Sequence, residues 1–303
     1  MRILSLLPSA TEIVCALGRE PDLVGRSAEC DYPASVARLP VVMRARTVDS
    51  DRPSSEIDER VQAVRGSGES LYELDLERLR TLAPDVVLTQ DLCGVCSVTE
   101  EEVVRACRSS GLSPAIVSLT PRRLEDVWKS VELIGESIGE AESARQLADA
   151  LRARTQAARQ RRGSPAKLGV VEWLDPPILA GLWVPDMLDA AGATSWGARA
   201  GEPGTRTTWE SIRAARPDGL VLSPCSFGVA RTRSELESAP IRRKVGPLAA
   251  RLGVLLADEA YFSRPGPRLA DGIELLRDLC AGTSVGGPMP VERWAQREEV
   301  ASS

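Results

Sequence analysis

The sequence predicts an α/β protein of two Rossmann-like lobes with parallel sheets, bridged by one long rigid α-helix. Three observations carry this. Short apolar runs alternate with amphipathic, capped segments in the βαβ manner that implies parallel sheets. A central segment, Ala141 to Arg162, is rich in Ala, Leu, Gln and Arg and holds neither Gly nor Pro, so it should form a straight helix of roughly 30 Å. Beyond Gly163-Ser164-Pro165 the alternation restarts. With 303 residues and 43% hydrophobic content, the chain is near the upper length for one core, and two lobes follow. The expected organisation is a lobe over 1–120, a bridging helical segment over 121–163, a second lobe over 164–282 and a loosely held tail over 283–303, with Trp294 the one tail residue suited to docking.

In order along the chain, Arg2 to Leu6 has the composition of a buried strand, and Ser9 and Thr11 offer N-caps for a helix through Ala16 that Gly18 ends. Leu23 to Arg26 is a second strand, followed by the turn-rich Cys30-Asp31-Tyr32-Pro33. Asp75 caps a helix to Leu82, Pro84-Asp85 breaks it, and Val86 to Thr89 is a strand. Thr99 with Glu102 forms a capping box for a helix ending at Gly111, and Ala115 to Leu119 is the next strand. Thr120-Pro121 opens the bridging stretch, which Gly135 and Gly139 divide in two. In the second half, Leu168 to Trp173, Leu220 to Ser223 and Val254 to Ala257 are strands. Pro185 to Ala191, Thr208 to Ala215 and Pro267 to Cys280 are helices.

A net charge of -5 gives no electrostatic reason to approach a phosphate backbone or an anionic bilayer, so neither nucleic acid nor membrane insertion is expected. Met1 to Pro8 carries one basic side chain and too short an apolar run for a secretory leader. Together with seven cysteines, an odd number suited to reduced thiols, this leads to an expectation of residence in the cytoplasm. The chain has no histidine, which removes the commonest general base and transition-metal ligand.

The segments Ile3-Leu4-Ser5-Leu6-Leu7-Pro8-Ser9-Ala10-Thr11-Glu12, Glu29-Cys30-Asp31-Tyr32-Pro33 and Leu82-Ala83-Pro84-Asp85-Val86-Val87 carry a likeness to a known family. In the second half it continues through Glu172-Trp173-Leu174-Asp175-Pro176-Pro177, Thr208-Trp209-Glu210 and Tyr261-Phe262-Ser263-Arg264-Pro265-Gly266-Pro267-Arg268. The chain resembles the helical-backbone (class III) periplasmic binding proteins for cobalamin and iron-siderophore complexes. Through Gln90-Asp91-Leu92-Cys93-Gly94-Val95-Cys96 and Pro224-Cys225 it is similar to a subgroup without signal peptides, usually labelled cobalamin-binding. The resemblance implies a corrinoid-sized small-molecule ligand held between lobes, with little hinge motion. At Ala28 and Ala260 the chain departs from the pattern, having Ala where the subgroup carries His and the importers' proteins carry Asp. Importers' proteins dock a permease through acidic residues on both lobes, and none is matched here.

In doubly wound sheets, ligands sit outside the carboxyl ends of the strands. The residues that follow strands are Ser9, Cys30, Asp31, Tyr32, Gln90, Asp91, Trp173, Asp175, Cys225, Tyr261, Phe262 and Arg264, and they are expected to converge on an interlobe cleft. Cys93-x-x-Cys96 with Cys30 and Cys225 is a candidate set for zinc or an iron-sulfur cluster; a buried cysteine is equally a small hydrophobe, the reading adopted for Cys15, Cys107 and Cys280. Aromatic residues make up only 4% of the chain, yet Trp173, Trp183, Trp196 and Trp209 crowd into one half with Tyr261 and Phe262. Flat faces of this kind suit a large planar ligand, and Trp173 and Trp209 are favoured for it. Arg264 is the candidate fork for a ligand's carboxylate, amide oxygen or phosphate, and Arg268 the structural one. The Tyr72 ring is assigned to the cleft rim. Glu172 and Asp91 are the acid-base candidates. The leading expectation is a cytoplasmic carrier or sensor of a corrinoid or metal chelate; the alternative is an enzyme that reuses the fold around a cysteine-held metal or iron-sulfur cluster.

Overall fold

The computed structural model describes residues 1–46, 51–67, 69–91, 98–160, 166–252, 254–282 and 290–294. Two compact units emerge: Met1–Arg52 with Glu56–Arg154 and Arg264–Pro267, and Pro53–Ser55 with Thr155–Ser263 and Arg268–Ser303.

The first half of the chain runs β1 (Ile3–Ser5), α1 (Pro8–Ala16), β2 (Leu23–Ser27), β3 (Val41–Ala45), α2 (Ser54–Ser67), β4 (Tyr72–Leu74), α3 (Leu76–Leu82), β5 (Val86–Gln90), α4 (Glu100–Ser109), β6 (Ala115–Leu119), α5 (Leu124–Ser137) and α6 (Ala141–Gln160). Its described strands form one sheet in the order β4-β3-β2-β1-β5-β6, parallel except where β4 returns antiparallel to β3. The order reverses at β1 and β5, so the residues after these two strands lie at the topological switch point. Strands β1 and β5 are buried throughout, as central parallel strands must be.

Local chemistry explains most boundaries. Asp75 accepts from the Arg78 amide to start α3, and Thr99 and Glu102 form both halves of a capping box at α4. Helix α1 begins at Pro8 with Leu7 at its N-cap, not at a Ser9 or Thr11 cap. Proline tolerates the first helical position because the amide it lacks has no intrahelical partner there. Only Gly139 divides the bridging stretch, at φ +79. Gly135 stays inside α5, where a Cβ would lie 2.1 Å from Ala144 Cβ, so glycine permits the close approach of α5 to α6. Tyr72 is half-buried and packs against the first unit's core cluster.

The second half runs β7 (Leu168–Leu174), β8 (Pro177–Leu179), α7 (Val184–Ala190), β9 (Thr205–Arg206), α8 (Trp209–Ala214), β10 (Gly219–Leu222), α9 (Val229–Glu237), α10 (Ala239–Leu252), β11 (Val254–Ala257), α11 (Leu269–Cys280) and β12 (Val291–Trp294). The sheet order is β12-β11-β10-β7-β8-β9. Strands β7, β10 and β11 are parallel, whereas β8, β9 and β12 join antiparallel. Both sheets thus have a parallel core with antiparallel strands added at their edges. The segment read as a loose tail supplies the edge strand β12, and Trp294 lies in the core with Leu248, Val254 and Leu256. That burial, together with four paired residues on β11, gives this piece an apolar reason to be ordered.

Candidate ligand-binding site

In the first unit the switch-point loops bring together a polar, largely buried group. Thr11 sits one turn into α1, and its hydroxyl is within reach of Ser5 Oγ at 2.8 Å and Cys30 Sγ at 3.1 Å; carrying one proton, it donates to one acceptor at a time. Ser9 is buried, and its Oγ has no hydrogen-bond partner. Burial pushes the Cys30 thiol up to about 11, against the opposing effects of the Thr11 hydrogen bond and the nearby charges of Arg264 and Arg26. At neutral pH Cys30 is thus a thiol, the less nucleophilic form.

Asp31 and Tyr32 follow on the exposed side of the same loop, Tyr32 with 51% of its surface open. Arg264, from the short segment that belongs with this unit, grips Asp31 with both terminal nitrogens, Nη2 to Oδ2 at 3.1 Å. Its Nη1 also lies 3.6 Å from Glu12 Oε1, and these two side chains are only 11% and 3% exposed. The segment packs against α1 at Gly266, where a Cβ would stand in ordinary contact, 3.6 Å from Ser9 Cβ. Gln90 closes β5 in a buried position and Asp91 beyond it is exposed. Cys93 and Cys96 lie outside the described residues.

The second unit presents its own strand ends. Trp173, near the end of β7, is half-buried, with a buried indole Nε1 that has no partner, and its ring centroid is 5.4 Å from that of Phe227, tilted by 50°. Phe227 follows β10 on the Pro224-Cys225-Ser226 turn and lies under the Arg231 guanidinium at 4.4 Å. The Cys225 thiol is 3.5 Å from Ser263 Oγ. Tyr261 is half-buried, stacked by Arg268 at 5.4 Å, and desolvation raises its phenol pKa, so it is protonated at neutral pH. Arg268 therefore meets an aromatic face, while the Asp258 side chain accepts from the Ala260 amide.

Two aromatic candidates are core residues. Trp209 is 2% exposed, and its Nε1 donates to the Leu174 carbonyl at 3.0 Å. Phe262 is likewise buried, its carbonyl accepting from Trp183 Nε1 at 2.7 Å. A satisfied indole in a core cluster is what packing requires, and this corrects the placement of Trp209 and Phe262 at a ligand surface. Among the acid-base candidates, Glu172 lies against Gly204, where a Cβ would come 1.9 Å from Oε1. Asp175 is paired with Lys244 at 2.8 Å. Among the described residues, no three His, Cys, Asp or Glu side chains are grouped to hold a metal ion. Sequence reasoning passed over Glu12, Arg26 and Phe227; of these, Phe227 alone had a signal, being one of two phenylalanines and placed after a strand.

No family model matches the chain. Along 91% of its length it is 23% identical to an uncharacterized ABC transporter substrate-binding lipoprotein, YvrC, of Bacillus subtilis, covering 79% of that protein. Among solved structures, a periplasmic heme-binding protein of Pseudomonas aeruginosa superposes with a TM-score of 0.71 at 21% identity over 98% of both chains. The periplasmic vitamin B12 binding protein BtuF of Vibrio cholerae gives 0.66 at 19% identity, over 92% of this chain and 96% of that one. The fold is that of the class III periplasmic binding proteins.

The binding-protein fold corrects the expected location. Its similar proteins are a lipoprotein and periplasmic proteins, so the cytoplasmic assignment does not stand. The residues judged as a failed leader, Met1 to Pro8, are β1 and the start of α1. They belong to the folded body and carry no information on export. Among the described residues, no helix is long and apolar enough to cross a membrane.

Proposed function

We propose that this chain binds a large cofactor-like ligand of the corrinoid or metal-chelate class as the receptor component of an ABC import system. The observation that carries this reading is the pair of strand-end surfaces on a binding-protein fold. One presents Tyr32 and the Asp31–Arg264 pair; the other presents the half-buried Trp173, its ring centroid 5.4 Å from that of Phe227. Flat rings that exclude water, with a few fixed polar groups, are what a large, mostly apolar ligand requires. Support also comes from the similar proteins, which are a heme-binding protein and a vitamin B12 binding protein.

Titration with hemin, cyanocobalamin and a ferric hydroxamate, followed by tryptophan emission, tests the reading. One of the three is expected to quench emission in a saturable way, with affinity in about the micromolar range or tighter. Trp173→Ala is expected to weaken it by about tenfold, the worth of one good aromatic contact. Unchanged emission with all three probes at micromolar concentration would overturn the proposal.

A further inference from the structure

Arg26, next to last in β2, does not belong to the exposed surface of the first unit's site, yet its guanidinium is tied to the loop that carries that surface. Nη1 faces the carbonyls of Ser27, Ala28 and Cys30 at 3.0, 3.1 and 3.1 Å, and Nη2 donates to the carbonyl of Ala37 at 2.9 Å. The two limbs of the loop, before Asp31 and after Tyr32, thus converge on one planar cation. Loop carbonyls have no sheet ladder to satisfy them, and hydrogen bonds from a charged donor are stronger than neutral ones. The fork reaches both limbs at once from two nitrogens; the single nitrogen of a lysine cannot. Further backbone bonds anchor the roots of the loop, Arg26 N to the Pro40 carbonyl at 2.9 Å and Ala28 N to that of Met43 at 2.8 Å.

We propose that Arg26 is the positioning residue of the Asp31–Tyr32 loop, holding its backbone in the one arrangement that presents Tyr32 and Asp31 to the ligand. Arg264 fixes the Asp31 side chain; Arg26 fixes the backbone beneath it. The inference rests on the ligand-binding reading above for its effect on affinity, but not for its effect on the loop.

The test compares the full chain with Arg26→Gln and Arg26→Lys, with the exposed Arg213→Ala on α8 as control. It reads backbone hydrogen exchange and the affinity for hemin, cyanocobalamin and a ferric hydroxamate. Arg26→Gln is expected to speed exchange across residues 28–38 by about tenfold or more, with β1 and β5 keeping their protection. It should also weaken whichever probe the parent chain binds by about tenfold. Arg26→Lys keeps the charge but should recover little, and it is the variant to read if the glutamine form does not fold. Unchanged exchange over 28–38 overturns the positioning role. So does loss of protection spread evenly over the unit, which would make Arg26 a general stabiliser. Should the parent chain take up none of the probes, the ligand-binding reading has failed, and the exchange comparison still decides the role of Arg26.

Discussion

Arg264→Ala is expected to lower the stability of the chain by about 3 to 5 kcal/mol, the usual result of removing one partner from a buried ion pair. The carboxylate left behind is Glu12, whose side chain is 3% exposed and lies 3.6 Å from the Arg264 Nη1. A charge so placed cannot be rehydrated without opening α1. Asp31, 64% exposed, can turn to water and contributes little to the loss. Urea unfolding of the single variant and of Arg264→Ala combined with Glu12→Gln checks the assignment. The second substitution should restore part of the stability because it removes the buried charge that Arg264 faced. A double variant as unstable as the sum of the two singles would place the loss elsewhere.

Glu235→Ala should cost about 3 kcal/mol or more, because three donors lose their acceptor together. The Glu235 carboxylate, 6% exposed, accepts from the Ser54 amide at 2.8 Å and the Ser54 hydroxyl at 2.7 Å. Arg231 Nη1 supplies the third bond at 2.9 Å. Ser54 opens α2 and is fully buried, so its amide, one of the four that no helix satisfies internally, has no water to turn to. Glu235→Gln keeps one oxygen for Ser54 and gives up the charge toward Arg231. A loss smaller than that of the alanine form is expected in thermal or urea unfolding. Equal losses would mean that the ion pair with Arg231, and not the cap on Ser54, carries the effect.

These two effects were out of reach of the sequence, since Glu235 and Ser54 are 181 residues apart and Arg264 and Asp31 are 233 apart. No local pattern pairs a glutamate on one amphipathic helix with a serine at the start of another. Boundaries set by nearest neighbours were legible: the Asp75 cap, the Thr99–Glu102 box, and the positive φ of Gly18, Gly139 and Gly192. The antiparallel additions were not. Strands β8 and β9 have three and two residues, too few to show alternation, and β12 sits in a stretch whose Gly, Ser, Pro and charge content suggests a tail.

Asp31 and Tyr32 lie beyond the end of β2, as read from the sequence, whereas Trp173 falls within β7, one residue before its end. Position after a strand was a poor guide to burial, which depends on what the rest of the chain brings. Trp209 follows the cap of α8 and turns inward because the Leu174 carbonyl waits for its N–H. Arg264, read as a free fork for a ligand, is held by Asp31 and Glu12. Arg26 gave no signal at all, since a basic residue inside a strand is ordinarily a solvated one, and only the folded loop shows its four carbonyl partners.

Native mass spectrometry of the chain mixed with hemin, cyanocobalamin or a ferric hydroxamate bears most directly on the central claim. A single ligand of one kind retained per chain, and released more readily from Trp173→Ala, is the predicted spectrum. Bare protein in all three mixtures at concentrations of about ten micromolar would contradict it.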